Sequence, residues 1–289
     1  DLTWPGRHHE SRHMSSPLGI AVSGGPRPSE IIELVVLAES LGYDSAWIAE
    51  GHGGDQFSVL SGCALQTSRI RLGTAISSVF VRSIPTIAMA AATVDDLSHG
   101  RFILGLGSSH RVQVVPEHGL EYAKPITRLR ESVAIIRQLL ATGATQFDGE
   151  TVKIENFDLW FQPRRATLPI YAAAVQPKMM AVCGEIADGI ILTRSTLQTG
   201  TQVKRQLAAG ADLSDRDPKE IEVTSLLPVA VAETRAEAPR SWSDQEGPRA
   251  PTARTTWSRG LLWPALACVR TSTRADGAKG GAGAERASR

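Results

Sequence analysis

The feature that most constrains this chain is an alternation of short apolar runs with longer amphipathic ones, each pair closed by a turn. Residues 18–23 are a strand-type run. Residues 28–41 then place Ile31, Leu34, Val35, Ala38 and Leu41 at helical spacing and stop at Gly42, a glycine C-cap. The unit recurs as strand 45–49 with helix 57–67, strand 70–76 with helix 86–97, and strand 101–106 with helix 126–140. Consecutive βα units of this kind imply a parallel sheet with helical crossovers. After Thr142 the rhythm breaks: an Asp148-Gly149 turn lies between β-rich runs, the second reaching Leu159-Trp160-Phe161, and predicts a small hairpin insertion near 145–165. The alternation resumes with strand 169–174, helix 178–187, strand 189–192, helix 201–211 and strand 222–231. Seven strands, apolar at nearly every position and so buried on both faces, fall one short of a closed ring.

The uninterrupted series favours an α/β fold of the (β/α)8 TIM-barrel type over an open doubly wound sheet. Gly105-Leu106-Gly107 ends a strand, but Ser108-Ser109-His110 follows where a dinucleotide fold needs a third glycine. No capped helix is expected after it, because Pro116 interrupts Val112-Gln113-Val114-Val115.

The ends differ from the middle. Residues 1–13 carry His8, His9 and His13 without periodicity or an apolar core, and read as a disordered leader or tag remnant. The barrel is assigned to 14–238. In 239–289 the only Ile, Leu, Val or Phe residues are Leu261, Leu262, Leu266 and Val269. Such a tail buries too little apolar surface to order itself, which would leave an open barrel edge between strands one and seven.

Composition excludes several partners. With 31 Lys+Arg against 30 Asp+Glu, the formal charge is +1, so neither nucleic acid nor a membrane surface is favoured. The longest apolar stretch, 84–94, is shorter than the roughly 20 residues needed to cross a bilayer. Cys63, Cys183 and Cys268 are odd in number and far apart; they suggest no disulfide framework or zinc site, and a reducing cytoplasm is the expected compartment.

In such a barrel the chemistry sits in the loops after the strands. They hold Glu50-Gly51-His52-Gly53-Gly54-Asp55, Ser77-Ser78-Val79-Phe80-Val81-Arg82, Gly107-Ser108-Ser109-His110-Arg111, Val175-Gln176-Pro177-Lys178 and Thr193-Arg194-Ser195. This set offers backbone N–H groups, hydroxyls and cations suited to a phosphorylated cofactor, with no convincing nucleophile and base. Glu50 and His52 read equally well as a proton-donor pair and as residues that shape the loop. His110 has the same standing. His99 instead fits a helix C-terminus, and Arg82 and Lys178 are more often solvated surface charges.

Four runs now become recognisable: Gly42-Tyr43-Asp44-Ser45-Ala46-Trp47-Ile48, Thr67-Ser68-Arg69-Ile70-Arg71-Leu72-Gly73-Thr74, Asp96-Leu97-Ser98-His99-Gly100-Arg101-Phe102-Ile103-Leu104-Gly105-Leu106-Gly107 and Gly184-Glu185-Ile186-Ala187-Asp188-Gly189. Together they resemble the luciferase-like monooxygenase superfamily, in particular its coenzyme F420-dependent branch around methylenetetrahydromethanopterin reductase. The resemblance covers about residues 18–231. It implies a barrel with a deazaflavin or flavin in its mouth, and hydride transfer between F420 and a small organic substrate. An FMN-dependent monooxygenase and an inactive truncated barrel are the alternatives. It also implies a non-proline cis peptide at Ala75-Ile76 and, usually, a homodimer. By position Glu50 stands where the family carries an acid near the reacting carbon, while the His expected next is replaced by Gly51, with His52 one residue later. Thr74, Ala75, Ile76 and Ser77, then Ser108, Ser109 and His110, then Ala174, Gln176, Lys178 and Thr193 fall at positions that line the cofactor; His110 departs from the residues usual at its place.

Overall fold

The computed structural model describes residues 17–23, 25–193, 197–229 and 266–271; the leader and nearly all of the tail lie outside them. The chain starts with β1 (Leu18–Val22) and α1 (Pro28–Ser40), whose Ile31, Val35 and Ala38 are buried. Next come β2 (Ser45–Ile48), α2 (Gln56–Gln66), β3 (Arg71–Thr74), the two-residue β4 (Ser77–Ser78) and α3 (Ile84–Leu97). Then β5 (Phe102–Gly107), buried throughout, leads to α4 (Arg111–His118) and α5 (Pro125–Thr142). The hairpin β6 (Ala144–Asp148) and β7 (Lys153–Asp158) forms its own two-stranded sheet. After it follow β8 (Ile170–Ala173), α6 (Pro177–Ile186), β9 (Gly189–Thr193), α7 (Leu197–Asp212) and β10 (Glu222–Pro228).

Every neighbouring pair in the series β1, β2, β3, β5, β8, β9, β10 is parallel. The seven expected strands are therefore present and in order. The expected open edge is not. A final strand, β11 (Leu266–Thr271), lies between β1 and β10 and runs antiparallel to both, Gly19 pairing with Cys268 and Leu226 with Cys268 on the other side. It closes the ring of β1, β2, β3, β5, β8, β9, β10 and β11, and the two-residue β4 pairs only with β5 beside it. The tail's few apolar residues gave no periodic signal; two waiting strand edges supply the order that its own sequence does not.

Two smaller expectations also change. Residues 111–118 are helical despite Pro116, whose missing N–H leaves one intrahelical bond unmade, and Gly119 terminates the helix in the left-handed region at φ 65°. Leu159-Trp160-Phe161 does not extend β7: Trp160 is 98% exposed. The hairpin turn is fixed instead by the Glu131 carboxylate, which accepts from the N–H groups of Glu150, Thr151 and Val152.

Candidate active site

The carboxyl ends of the parallel strands and the loops after them form the mouth of the barrel. Beneath it the lumen is filled by Ala21, Trp47, Ile103, Tyr171, Ile191 and Leu226, with half-buried Ala75, Ile76 and Ala173 packed on this cluster. The Trp47 and Tyr171 rings lie 5.8 Å apart. A Cβ on Gly73 would fall 2.4 Å from the Trp47 ring, so glycine there makes the room the indole occupies. The Ala75–Ile76 peptide, in the bulge that separates β3 from β4, is cis, where the family resemblance placed it. Gln56, at the start of α2, ties the end of β2 to this bulge: its side-chain N–H group donates to Ile48 O at 2.6 Å and Ile76 O at 3.3 Å.

Glu50 faces inward. Its carboxylate accepts from the Ser78 N–H at 2.7 Å and pairs with the Arg82 guanidinium. Arg82 also pairs with Asp55 and lies 5.2 Å above the Phe57 ring. Asp55 is the side-chain cap of α2, accepting from the Ser58 N–H at 2.8 Å. Burial alone would raise its pKa, but the Arg82 guanidinium and the Ser58 N–H and hydroxyl outweigh that and hold it at about 2. Arg82, taken from sequence as a surface charge, is thus the centre of a carboxylate pair. Asp55, directly before an apolar helical run, carried a readable capping signal. His52 is not part of this network; it is 84% exposed, and its Nε2 lies 3.4 Å from Glu117 of α4.

The remaining candidates divide into satisfied and unsatisfied groups. Thr74 is fully buried, its hydroxyl donating to Gly105 O at 2.8 Å and accepting from Gly105 N–H at 2.7 Å, which stitches β3 to β5. The Ala174 N–H donates to Ile191 O. By contrast, among the described residues the buried Ser77 Oγ, Gln56 Oε1 and Thr224 Oγ1 have no partner. Ser108 and Ser109 are half-buried, and His110, Gln176, Lys178 and Thr193 are exposed. The helix starts differ in the same way. α2 and α3 begin with the side-chain caps Asp55 and Ser83, whereas His110 and Gln176, at the same place before α4 and α6, make no side-chain cap. No side chain caps the first turn of α4 or α6, and Pro177 leaves the first residue of α6 without an N–H, so the remaining first-turn donors suit an anion or water.

Sequence reasoning missed one cluster altogether. Tyr122 stacks on Phe80 with ring centres 4.6 Å apart; the Arg111 guanidinium lies 5.7 Å from the Tyr122 ring and that of Arg128 lies 5.0 Å from Phe80. These four residues come from separate loops and helices, and no spacing rule links them.

A closed α/β barrel whose unsatisfied buried hydroxyl and uncapped helix starts collect at the carboxyl ends of its strands has the organisation of a (β/α)8 binding mouth. The chain belongs to the luciferase-like monooxygenase family, whose model matches residues 5–283. Similar proteins include the 5,10-methylenetetrahydromethanopterin reductase of Methanolobus tindarius, 31% identical over 210 residues that make up 72% of this chain and 64% of that protein. The F420-dependent glucose-6-phosphate dehydrogenase of Amycolatopsis mediterranei is 31% identical over 57% of this chain and 54% of its own length. Among solved structures, the coenzyme F420 dependent tetrahydromethanopterin reductase from Methanopyrus kandleri superposes with a TM-score of 0.71 at 26% identity, over 78% of this chain and 69% of that one. The chain thus spans less than two thirds of the length of both of these relatives.

Proposed function

We propose that this protein is an F420-dependent oxidoreductase acting on a small organic substrate at the mouth of the barrel. The observation that carries the reading is the concentration there of unsatisfied groups: the orphaned Ser77 hydroxyl beside the bulge and the uncapped starts of α4 and α6. Such groups suit a ligand with a polar flat ring and a phosphorylated tail. Deazaflavin, when bound, supplies the two-electron hydride chemistry. Around it this chain's residues divide the work. Half-buried Ala75, Ile76 and Ala173 offer an apolar floor, and Ser77 and Ser108 offer hydroxyls to ring atoms. Gln176 and Lys178, at the start of α6, face solvent where an anionic tail is best held.

Glu50 stays engaged with Arg82 and the Ser78 N–H, and so orients the segment after the bulge. Any proton it delivers must leave that network. His52, beside Glu117 and solvent, serves as a link between the loop after β2 and α4. Among the described residues no helix is long and apolar enough to cross a membrane. A cytoplasmic homodimer completes the reading, with exposed Leu37, Leu41, Leu65 and Met89 on the outer helices supplying apolar surface for a second copy.

Titrating the protein with F420 and with FMN, following ligand fluorescence and the thermal midpoint together, tests this. A ligand at 100 times its Kd stabilises the native state by about 2.7 kcal/mol. Stabilisation by F420 alone is the expected result. Stabilisation by FMN alone moves the protein to the flavin monooxygenases, and no response to either overturns the reading.

A further inference from the structure

Tyr122 belongs to none of the motifs that mark the family resemblance, yet it connects three parts of the mouth. Its ring is held by Phe80, which follows β4, and Phe80 is steadied by Arg128. Arg128 is itself fixed, its Nε donating to Val79 O at 2.7 Å. Arg111 donates to the Tyr122 carbonyl at 2.9 Å, which ties the start of α4 to the same stack. The phenol hydroxyl therefore has a defined position, and it lies 3.2 Å from Ser108 Oγ and 3.4 Å from Ser109 O.

A phenol has one proton to donate, and the nearer acceptor is Ser108 Oγ. Once Ser108 accepts it, the serine's own hydrogen must point elsewhere. Its one acceptor among the described residues is Ser109 O, at a marginal 3.5 Å. Ser109 itself stands in the left-handed region at φ 53°, uncommon for a residue with a Cβ and maintained only where surrounding contacts enforce it.

We infer that Tyr122 is a positioning residue of the cofactor site: its hydroxyl fixes Ser108 Oγ as a hydrogen-bond donor toward a polar acceptor on the bound ring. The inference rests on the F420 reading above and deepens it. Tyr122 does its work through Ser108, so the two must not act independently.

The experiment is a double-mutant cycle with Tyr122→Phe and Ser108→Ala, read by F420 affinity and by hydrogen exchange of the ligand-free protein. Tyr122→Phe keeps the stack and removes the hydroxyl. It should leave the thermal midpoint unchanged and weaken F420 about three- to tenfold, the scale of one hydrogen bond. Ser108→Ala should weaken binding by a similar factor, and the double variant by no more than either alone. Amides of residues 108–112 should exchange about threefold faster in Tyr122→Phe. Independent, multiplicative losses, or full F420 affinity in Tyr122→Phe, overturn the inference while leaving the F420 reading intact. If the wild type binds neither F420 nor FMN, the functional reading falls, and exchange alone decides Tyr122: unchanged rates at 108–112 overturn its positioning role, and faster rates support it.

Discussion

The floor and the mouth of this barrel are both rich in polar side chains, yet they use them differently. At the floor, where the parallel strands begin, Arg101 donates to the carbonyls of Ala64, Thr67, Ile70 and Ser98. Arg165 grips Asp95 and the Phe102 carbonyl. A cleft of about 640 Å³ opens there beside Arg71, Tyr171 and Glu222, whose carboxyl burial pushes up. Its size alone would recommend it as a site. The Arg101 and Arg165 guanidiniums that line it, however, are engaged with the strands and helices they join, as expected of the stability face of such a barrel. At the mouth, Ser77 Oγ and Gln56 Oε1 have no partner and two helix starts have no side-chain cap, while the third unpartnered buried atom, Thr224 Oγ1, lies within β10. What separates a structural from a functional polar region here is unmet hydrogen-bonding capacity, not the number of charges or the volume of the hollow.

Removing a floor group should damage the fold and spare the ligand. Asp95 is 1% exposed, and Asp95→Ala leaves Arg165 with the Phe102 carbonyl but without its counter-charge; the expected loss is about 3 kcal/mol of stability, read by urea unfolding, with F420 affinity retained by the folded fraction. A normal unfolding curve with weakened F420 would dissolve the distinction between the two ends.

At the mouth the balance should reverse. Ser77→Ala deletes a buried hydroxyl that has no partner, so stability should hold or rise by up to about 1 kcal/mol. F420 should bind more weakly by about three- to tenfold if that hydroxyl is reserved for the ligand. A destabilised variant with unaltered affinity would place Ser77 with the structural groups.

The smallest effect sharpens the border between the two. Asp55 has a folded-state pKa of about 2, below its ordinary 3.8. Its contribution is therefore present above about pH 4 and lost as the pH falls toward 2. Thermal midpoints taken from pH 5 to 2 should fall more steeply in the wild type than in Asp55→Asn. Parallel slopes would mean that Arg82 does not hold this carboxylate in solution.

Much of this could be read from the residues alone, because parallel strands such as Phe102–Gly107 are continuously apolar and their crossover helices carry an amphipathic stripe. The loops after the strands were also legible, since chain order places Glu50 and Ser108 once the barrel is assumed. β11 was not, because Leu266–Thr271 takes its order from the edges of β1 and β10 rather than from its own composition. α4 was hidden by Pro116. The stack of Arg111, Tyr122, Phe80 and Arg128 was invisible for a different reason: ring contacts between distant loops leave no periodicity in a sequence.

The antiparallel closure by β11 also sets a timetable. Residue 18 pairs with residue 269, so the ring cannot be completed before residue 269 has left the ribosome. Until then β1 and β10 each have an edge without β11, and joining β1 to β11 requires a contact of long sequence separation. Closure of the barrel is therefore a long-range event, tied to β11 reaching two strands that lie far from it in sequence or run against it.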